Sequence, residues 1–256
     1  MTVIGVGLGP RNRITEAARQ HVLDTAADLQ IRRSRVAAAL AQGDTTDGEI
    51  VARGFEATHD WMHRAVSECS ELLSVRPAAT VQQLQVSVPN NRIEVERGMR
   101  MTSIFDYDGV DPDARLLLAG EPDDCYAFGV APVQMKILDA DLVVVQGPFV
   151  EDELTLMALS SPGFVAAAGT YWQAVLASSF PAVEAGQGFR KLTDRQRQIL
   201  ALLATDAKDE AIAASLGVSV RTVRTDVAAI LKLLGVRSRF AAGLRVRRQV
   251  SVETPR

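Results

Sequence analysis

Cysteine is scarce in this sequence. The 256 residues contain only Cys69 and Cys125, which lie far apart along the chain. A disulfide framework or a zinc cluster needs several cysteines at close spacing, so this composition argues against both and fits a reducing compartment. We therefore expect an intracellular protein without a structural metal.

Histidine is equally scarce, and the chain has only three histidines. His59 and His63 are four residues apart on a predicted helix, a spacing that can bind a metal ion. No cysteine or third histidine completes such a site. We interpret the pair as solvated and expect neither a metal nor another cofactor.

Long apolar runs are also missing. The longest one, Ile137 to Val145, is interrupted by Asp139 and Asp141 and is far shorter than a membrane span. The N-terminus lacks the charged and then apolar order of a secretory signal. These absences predict a cytoplasmic protein with no membrane partner.

Charge is distributed unevenly along the chain. Residues 186–256 contain 14 Lys and Arg against 6 Asp and Glu, a net charge of +8, whereas residues 1–185 carry −11. Opposite charges on the two parts suggest different partners, and a basic C-terminal segment suits a polyanion.

The N-terminal part predicts mostly helix. Arg13 to Ala41 is rich in Ala, Arg, Gln and Leu and has no internal Pro or Gly, and a second helix is expected from Glu49 to about Leu72. We assign residues 1–70 to an N-terminal helical region and propose that it serves in dimerisation.

Residues 71–180 alternate between strand and helix patterns, which predicts an α/β or α+β domain. Residues 181–189 contain Pro, Gly and Glu and predict a linker. The expected strands are Glu71–Arg76, Met99–Phe105, the weaker candidates Arg115–Leu118 and Cys125–Val130, and a hairpin of Val133–Leu138 and Leu142–Val145, with helices at Asn91–Gly98 and Ser161–Ser179.

Residues 190–256 predict several short helices joined by tight turns. Thr193 and Gln196 have the spacing of a capping box at a helix start. Further on, Gly217 permits a left-handed turn and Ser219 can cap the next helix. Ser238 can cap a last helix, so the segment predicts an all-α, four-helix domain.

The helix after Ser219 has two distinct faces. Its apolar positions form one stripe, made of Val223, Val227, Ile230, Leu231 and Leu234. Its polar face carries cations and hydroxyls, as a helix placed in the major groove of DNA requires. The outward positions are Arg221, Thr222, Arg224, Thr225, Ala228 and Lys232.

This C-terminal segment resembles the LuxR-type DNA-binding domain, also called the NarL or GerE type. The motifs that carry the resemblance are Leu192-Thr193-x-Arg195, Ile212-Ala213, Leu216-Gly217-Val218-Ser219-x-x-Thr222-Val223-Arg224, Ile230-Leu231 and Leu234-Gly235-Val236-x-Ser238-Arg239. The resemblance implies that the helix begun at Ser219 enters the major groove and that the last helix pairs with its copy in a dimer. The implied DNA-binding residues are Thr193, Ser219, Arg221, Thr222, Arg224, Thr225 and Lys232.

The sequence departs from that family at several positions. Gln196, Arg224, Asp226 and Leu233 stand where the family usually has Glu, Lys, His and Lys. Asp226 is expected to place a negative charge beside the groove unless Arg221 or Arg224 pairs with it. We therefore expect an operator that differs from the family's usual one.

The middle domain shows a second resemblance. Gln134-x-Lys136-x-x-x-x-Asp141 is similar to the His-x-Lys-x-x-x-x-Asp motif of phospholipase D-like domains, with Gln in place of the nucleophilic His. The order of elements around it resembles the degenerate phospholipase D-like effector domain of TrmB-like regulators. Because a carboxamide cannot replace the imidazole as nucleophile, we expect no catalytic residues here.

Alternatives remain for both N-terminal parts. Lys136 and Asp141 can form a surface ion pair, or the three motif residues can hold a small-molecule effector. The first helices can be a remnant of a helix-turn-helix rather than a dimerisation pair. The leading hypothesis is a multidomain, homodimeric transcription factor of the LuxR type, whose α/β or α+β domain modulates DNA binding. The competing hypotheses are a phosphodiesterase-like enzyme with an accessory DNA-binding module and a protein-binding scaffold.

Overall fold

A computed structural model of the chain describes residues 14–44, 46–121, 125–189 and 191–251. Its helices are α1 (Glu16–Gln42), α2 (Phe55–Glu68), α3 (Val81–Glu96), α4 (Pro112–Leu118), α5 (Pro162–Ala177), α6 (Asp194–Ala204), α7 (Asp209–Leu216), α8 (Val220–Leu234) and α9 (Arg239–Ser251). Its strands are β1 (Gly48–Arg53), β2 (Glu71–Arg76), β3 (Arg100–Asp106), β4 (Tyr126–Gly129), β5 (Met135–Leu138), β6 (Leu142–Gln146), β7 (Thr155–Leu159) and β8 (Phe180–Pro181). Within these residues, no helix combines the length and the apolar character that crossing a membrane needs.

The strands form one mixed sheet in the order β1-β7-β6-β5-β2-β3-β4-β8. The central strands β2, β3 and β4 are parallel, and the outer strands pair antiparallel. An uninterrupted run of Leu and Val occupies most of β6, which is typical of a strand covered on both faces.

Helices cover both faces of this sheet. On one face, α1 and α5 pack against side chains such as Val75, Ile104 and Met135. On the other face, Leu72 and Phe105 belong to the core shared with α3 and α4. Neighbouring residues of one strand enter opposite cores because strand side chains alternate. The prediction of an α/β domain is confirmed.

Helices α6 to α9 form a C-terminal unit that packs directly on the α/β domain. Helix α4 contacts α6 and α9, and their buried side chains join one continuous core. The backbone at Gly120 lies close against α6. A Cβ atom added to Gly120 would lie 2.6 Å from Cγ of Gln198 and 2.7 Å from the carbonyl oxygen of Asp194. The four-helix domain predicted at the C-terminus is confirmed, although Arg190 and residues 252–256 of it lie outside the described residues.

The prediction of a separate helical region over residues 1–70 is wrong for its described part. Gly48–Arg53 is a strand that pairs with β7, so the helix expected from Glu49 begins only at Phe55. Helix α1 confirms the first expected helix, although Arg13 lies outside the described residues. Because α1 packs on α5 and β1 joins the sheet, both belong to the α/β domain.

Two other predicted elements need correction. Arg115–Leu118 is part of helix α4, which begins at Pro112, a residue well suited to the first turn of a helix. Helix α3 begins ten residues earlier than the expected Asn91, at Val81, because Thr80 and Gln83 form a capping box there. The helix continues through Pro89, which the sequence pattern alone argues against.

The predicted linker is structured. Ala182–Phe189 forms a 3₁₀ segment, and its ends Ala182 and Phe189 are buried in the core that both units share. The expected strands Glu71–Arg76 and Met99–Phe105, the hairpin and the helix Ser161–Ser179 are confirmed with small shifts of their ends.

Candidate nucleic-acid interface and a neighbouring cavity

Local caps fix the ends of the C-terminal helices. The Thr193 hydroxyl accepts the backbone N–H of Gln196 at 3.2 Å, and Gln196 Oε1 accepts the N–H of Thr193 at 3.1 Å. Gly217 has a left-handed backbone (φ 64°), and the Ser219 hydroxyl accepts the N–H of Thr222 at 3.1 Å. The predicted capping box, turn and cap are confirmed. Thr193 and Ser219 therefore shape the domain through their hydroxyls and remain on its surface.

Helix α8 is anchored by one face and open on the other. Val223, Val227 and Ile230 are at most 4% exposed, as their spacing predicts. The opposite face presents exposed side chains of Arg221, Arg224, Thr225, Ala228 and Lys232, while Thr222 is half-buried and its hydroxyl contacts that of Ser219. The predicted amphipathic helix is therefore present, with its polar face toward solvent.

Arg224 is held by acidic residues of α7. Its Nε donates to Asp209 at 3.0 Å, and its Nη2 lies 4.0 Å from Glu210. Arg239 of α9 donates to the other oxygen of Asp209 at 2.6 Å. These hydrogen bonds, Arg239 first, lower the pKa of Asp209, so its carboxylate stays ionised between two guanidinium groups.

Asp226 does not lie on the exposed polar face of α8, so the expectation that it projects there is wrong. It is buried, and it accepts hydrogen bonds from Arg195 at 2.8 Å and from Gln196 at 3.4 Å. Helical periodicity places it on the anchored face, because it lies three residues after Val223. Neither Arg221 nor Arg224 is its partner in the described residues.

The residues that hold these charges are distant in the sequence from the carboxylates they contact. Arg195 reaches Asp226 over 31 positions, and Arg239 reaches Asp209 over 30. No local spacing signals such contacts. A carboxylate in the first turn of a helix, as at Asp209, is a local signal that could have indicated a structural role.

A cavity of about 680 Å³ lies between α2, α3 and the centre of the sheet. Lys136 of β5 lines it, together with Arg76 and Ser74 of β2 and Ser103 of β3. Lys136 donates to the Ser74 hydroxyl at 3.1 Å. Burial, and then the positive charge of Arg76, lower the pKa of Lys136 to about 8.

The three residues of the phospholipase D-like motif do not converge. Lys136 lines the cavity, whereas Gln134 and Asp141 are exposed and are not among the lining residues. In the described residues Lys136 bonds to Ser74 and not to Asp141. The hairpin turn is held instead by Asp139, whose carboxylate accepts the N–H groups of Ser70 and Glu71 at 2.8 and 2.9 Å.

His59 and His63, which were expected to be solvated, lie on α2 at the rim of the same cavity and are both exposed. In the described part of the chain, no group of three or more potential metal ligands comes together.

Comparison with known proteins identifies the C-terminal domain. Residues 190–245 match the family model of bacterial regulatory proteins of the luxR family. The bialaphos biosynthetic pathway regulatory protein of Streptomyces hygroscopicus is 48% identical over 54 residues, which is 21% of this chain and 21% of that relative. The aligned segment thus spans about one fifth of the relative's length.

Two solved structures show weak likeness. NucT from Helicobacter pylori is 14% identical with a TM-score of 0.40, covering 49% of this chain and 91% of its own. TrmBL2, an archaeal chromatin protein whose structure shows a novel mode of DNA binding, is 11% identical with a TM-score of 0.38, covering 61% of this chain and 63% of its own. Both scores are too low to establish a shared fold, so the phospholipase D-like resemblance stays a prediction.

The family match coincides with the observed four-helix unit. It begins beside the capping box at Thr193 and includes the turn at Gly217 and the whole of α8. The C-terminal domain of this chain is therefore a helix-turn-helix domain of the luxR family of bacterial regulatory proteins.

Proposed function

We propose that the protein is a cytoplasmic, sequence-specific regulator of transcription that binds double-stranded DNA through α8. The observation that carries the proposal is the open polar face of an anchored helix in a luxR-family domain. Arg221, Thr225 and Lys232 are exposed there, and no ion pair holds Arg221 or Lys232 among the described residues. Exposed cations and hydroxyls supply the phosphate and base contacts that such a helix makes.

Arg224 is proposed to contact DNA after it leaves its partner Asp209. In the free protein it pairs with Asp209, yet its side chain is 65% exposed and can reach a phosphate or a guanine edge. Asp209 keeps Arg239 as a partner when Arg224 leaves. We therefore place Arg224 among the DNA contacts together with Arg221, Thr222 and Thr225.

Selection from a pool of random-sequence duplexes, using the full chain, tests the sequence preference. We expect enrichment of one motif with two half-sites about one helical turn apart, as a dimeric helix-turn-helix protein requires. Recovery of unrelated sequences at all salt concentrations would contradict the proposal, because non-specific binding depends on phosphates alone.

We also propose that the protein is a homodimer. Phe240 and Leu244 of α9 are 76% and 40% exposed, and apolar side chains of this size on one helix suit a helix pair. Sedimentation equilibrium of the full chain checks this, and Phe240→Glu is expected to shift the distribution toward monomer. A wild-type chain that stays monomeric at micromolar concentration would contradict it.

The α/β domain is proposed to modulate DNA binding without catalysis. It contacts α6 and α9, while the polar face of α8 remains exposed, so it can orient the helix-turn-helix domain without covering it. Gln134 stands where a phosphodiesterase needs its nucleophile. Turnover of bis(p-nitrophenyl) phosphate by the purified chain, abolished in Lys136→Met, would favour the enzyme hypothesis instead.

A further inference from the structure

We propose that the cavity between α2, α3 and the sheet binds an organic anion that has an apolar body. The inference deepens the proposed function, because it names the ligand class to which the modulating domain responds. Its basis is a set of polar, cationic and apolar side chains that line one partly open cavity.

A polar row crosses the centre of the sheet at the base of the cavity. Ser74 of β2 is directly opposite Lys136 of β5 on one side and Ser103 of β3 on the other. Ser74 is fully buried and Ser103 is 4% exposed. Buried polar groups cost free energy unless they are hydrogen-bonded. Two buried hydroxyls in register with a half-buried lysine, in strands whose other central residues are mostly apolar, indicate a function other than packing.

The charge around this row is positive. Lys136 and Arg76 both line the cavity, and no carboxylate pairs with either of them in the described part of the chain. Among the described residues that line the cavity, Glu94 is the one carboxylate, and it pairs with Arg97 at 2.9 Å. Two cations in a partly enclosed space raise the local concentration of anions, and their mutual repulsion is relieved when an anion binds.

The wall and the rim of the cavity are apolar. Met62 and Val66 of α2 line the wall, and Phe55 and Val86 stand at the opening, 82% and 55% exposed. The cavity volume of about 680 Å³ lies within the usual range of small-molecule sites. The geometry therefore suits a ligand with a phosphate or carboxylate at the sheet and an apolar body between α2 and α3.

Helix α3, which lines the cavity, is also linked through Glu121 to α6, the first helix of the helix-turn-helix domain. Arg92 of α3 donates to Glu121 at 2.8 Å, and Gln198 of α6 donates to the same carboxylate. Gln198 also donates to the carbonyl oxygen of Gly120 at 3.2 Å. A shift of α3 on ligand binding is thus transmitted through two hydrogen bonds to α6, which is the physical link that the proposed modulation requires.

Isothermal titration calorimetry of the full chain tests the site. The probes are 1-naphthyl phosphate and 1-naphthoate, with 1-naphthol and inorganic phosphate as compounds that each lack one half of the proposed ligand. We expect both naphthyl anions to bind and 1-naphthol to bind roughly 10-fold weaker or worse, because hydrogen bonds to charged groups contribute this much. Inorganic phosphate, which has no apolar body, is expected to bind weakly as well.

Variants assign the binding to the cavity. Lys136→Met is expected to weaken the binding of 1-naphthyl phosphate roughly 10- to 100-fold, whereas Lys191→Met, at an exposed position outside the cavity, leaves it unchanged. Val86→Glu places a negative charge at the half-exposed rim, where it does not threaten folding, and should also weaken binding. Failure of both naphthyl anions to bind at millimolar concentration overturns the proposal, as does equal binding of 1-naphthol or of the Lys136→Met chain.

A separate measurement distinguishes this site from the proposed function. If 1-naphthyl phosphate binds in the cavity but leaves the affinity for a selected DNA duplex unchanged, the anion site stands and the modulation by this ligand class is wrong. If the anion does not bind while the duplex is still bound with sequence preference, the anion site is wrong and the regulator stands.

Discussion

The helix-turn-helix domain and the cavity of the α/β domain differ in whether their charged side chains have partners of opposite charge. In the helix-turn-helix domain, the buried carboxylates Asp209 and Asp226 each have arginine partners within 3.0 Å. In the cavity, Lys136 bonds to a serine hydroxyl and to no carboxylate of the described residues, and Arg76 lies over the ring of Phe105 at 5.1 Å.

The difference separates charges that serve the fold from charges that serve a ligand. Removing one partner of a buried ion pair leaves an uncompensated charge and lowers stability, whereas removing a half-buried cation that has no counter-charge should not. The buried carboxylates Asp209 and Asp226 are therefore neutralised within the chain, while the two cations of the cavity have no carboxylate partner among the described residues. Variants that remove one charge at a time can break or sharpen this contrast.

The largest effect is expected at Asp209. Asp209→Ala removes the carboxylate that joins Arg224 and Arg239 and should lower the free energy of unfolding by about 2 kcal/mol. This figure is below that of a fully buried pair because both arginine side chains remain about half exposed to water. Urea denaturation measures the change.

Glu210→Ala is the matched control for that variant. Glu210 is the next carboxylate along α7, but its oxygen lies 4.0 Å from Arg224 and its side chain is 69% exposed. The expected change is below about 0.5 kcal/mol. Equal effects of the two substitutions would show that the buried pairing of Asp209 has no special role.

A smaller effect is expected at Asp226. Asp226→Ala should lower the free energy of unfolding by about 1 kcal/mol, because Arg195 and Gln196 lose a common acceptor and Arg195, 50% exposed, regains water. Anisotropy titrations with DNA should show no gain in affinity. A clear gain would mean that Asp226 repels DNA after all.

Removing the charge of Lys136, unlike removing that of Asp209 or Asp226, should not lower the free energy of unfolding. Lys136→Met removes an unpaired cation while keeping most of the side-chain volume, so the free energy of unfolding should stay equal or rise by about 0.5 kcal/mol at pH 7. The measurement is again urea denaturation. A loss comparable to that of Asp209→Ala would mean that Lys136 serves the fold, and the contrast between the two regions would fail.

The pH dependence of stability offers an independent check on Lys136. Its pKa is about 8 in the folded chain and 10.5 in a model compound, so between these values the unfolded chain binds more protons. Stability relative to Lys136→Met should therefore rise as the pH increases from 8 to 10.5. Arg76, Glu94, His59 and His63 line the same cavity and are unchanged in both chains, so the difference isolates Lys136.

The two regions also differed in how far the sequence predicted them. Local sequence patterns predict the helix-turn-helix domain. They are the capping box at Thr193, the turn at Gly217 and the apolar stripe that begins at Val223. Each of these lies within a few residues of its partner, so the pattern is visible in the sequence alone.

The α/β domain depends on contacts between distant residues. The polar row of Ser74, Ser103 and Lys136 comes from three strands, and only their register shows that the side chains are neighbours. Residues 49–53 fall within a predicted helix because nothing nearby reveals their partner strand β7, about a hundred positions away. For the same reason Lys136 was grouped with Gln134 and Asp141, its neighbours in sequence rather than in space.

Fluorescence anisotropy with a selected duplex and its scrambled counterpart tests the assignment of α8 as the DNA-binding helix most directly. At physiological salt the full chain should bind the selected duplex at least ~10³-fold more tightly than the scrambled duplex. Arg221→Ala should weaken this binding roughly 10- to 100-fold if Arg221 contacts a base, whereas Arg35→Ala, an exposed change on α1, should not affect it. Equal affinity for both duplexes, with no loss in Arg221→Ala, would contradict the account.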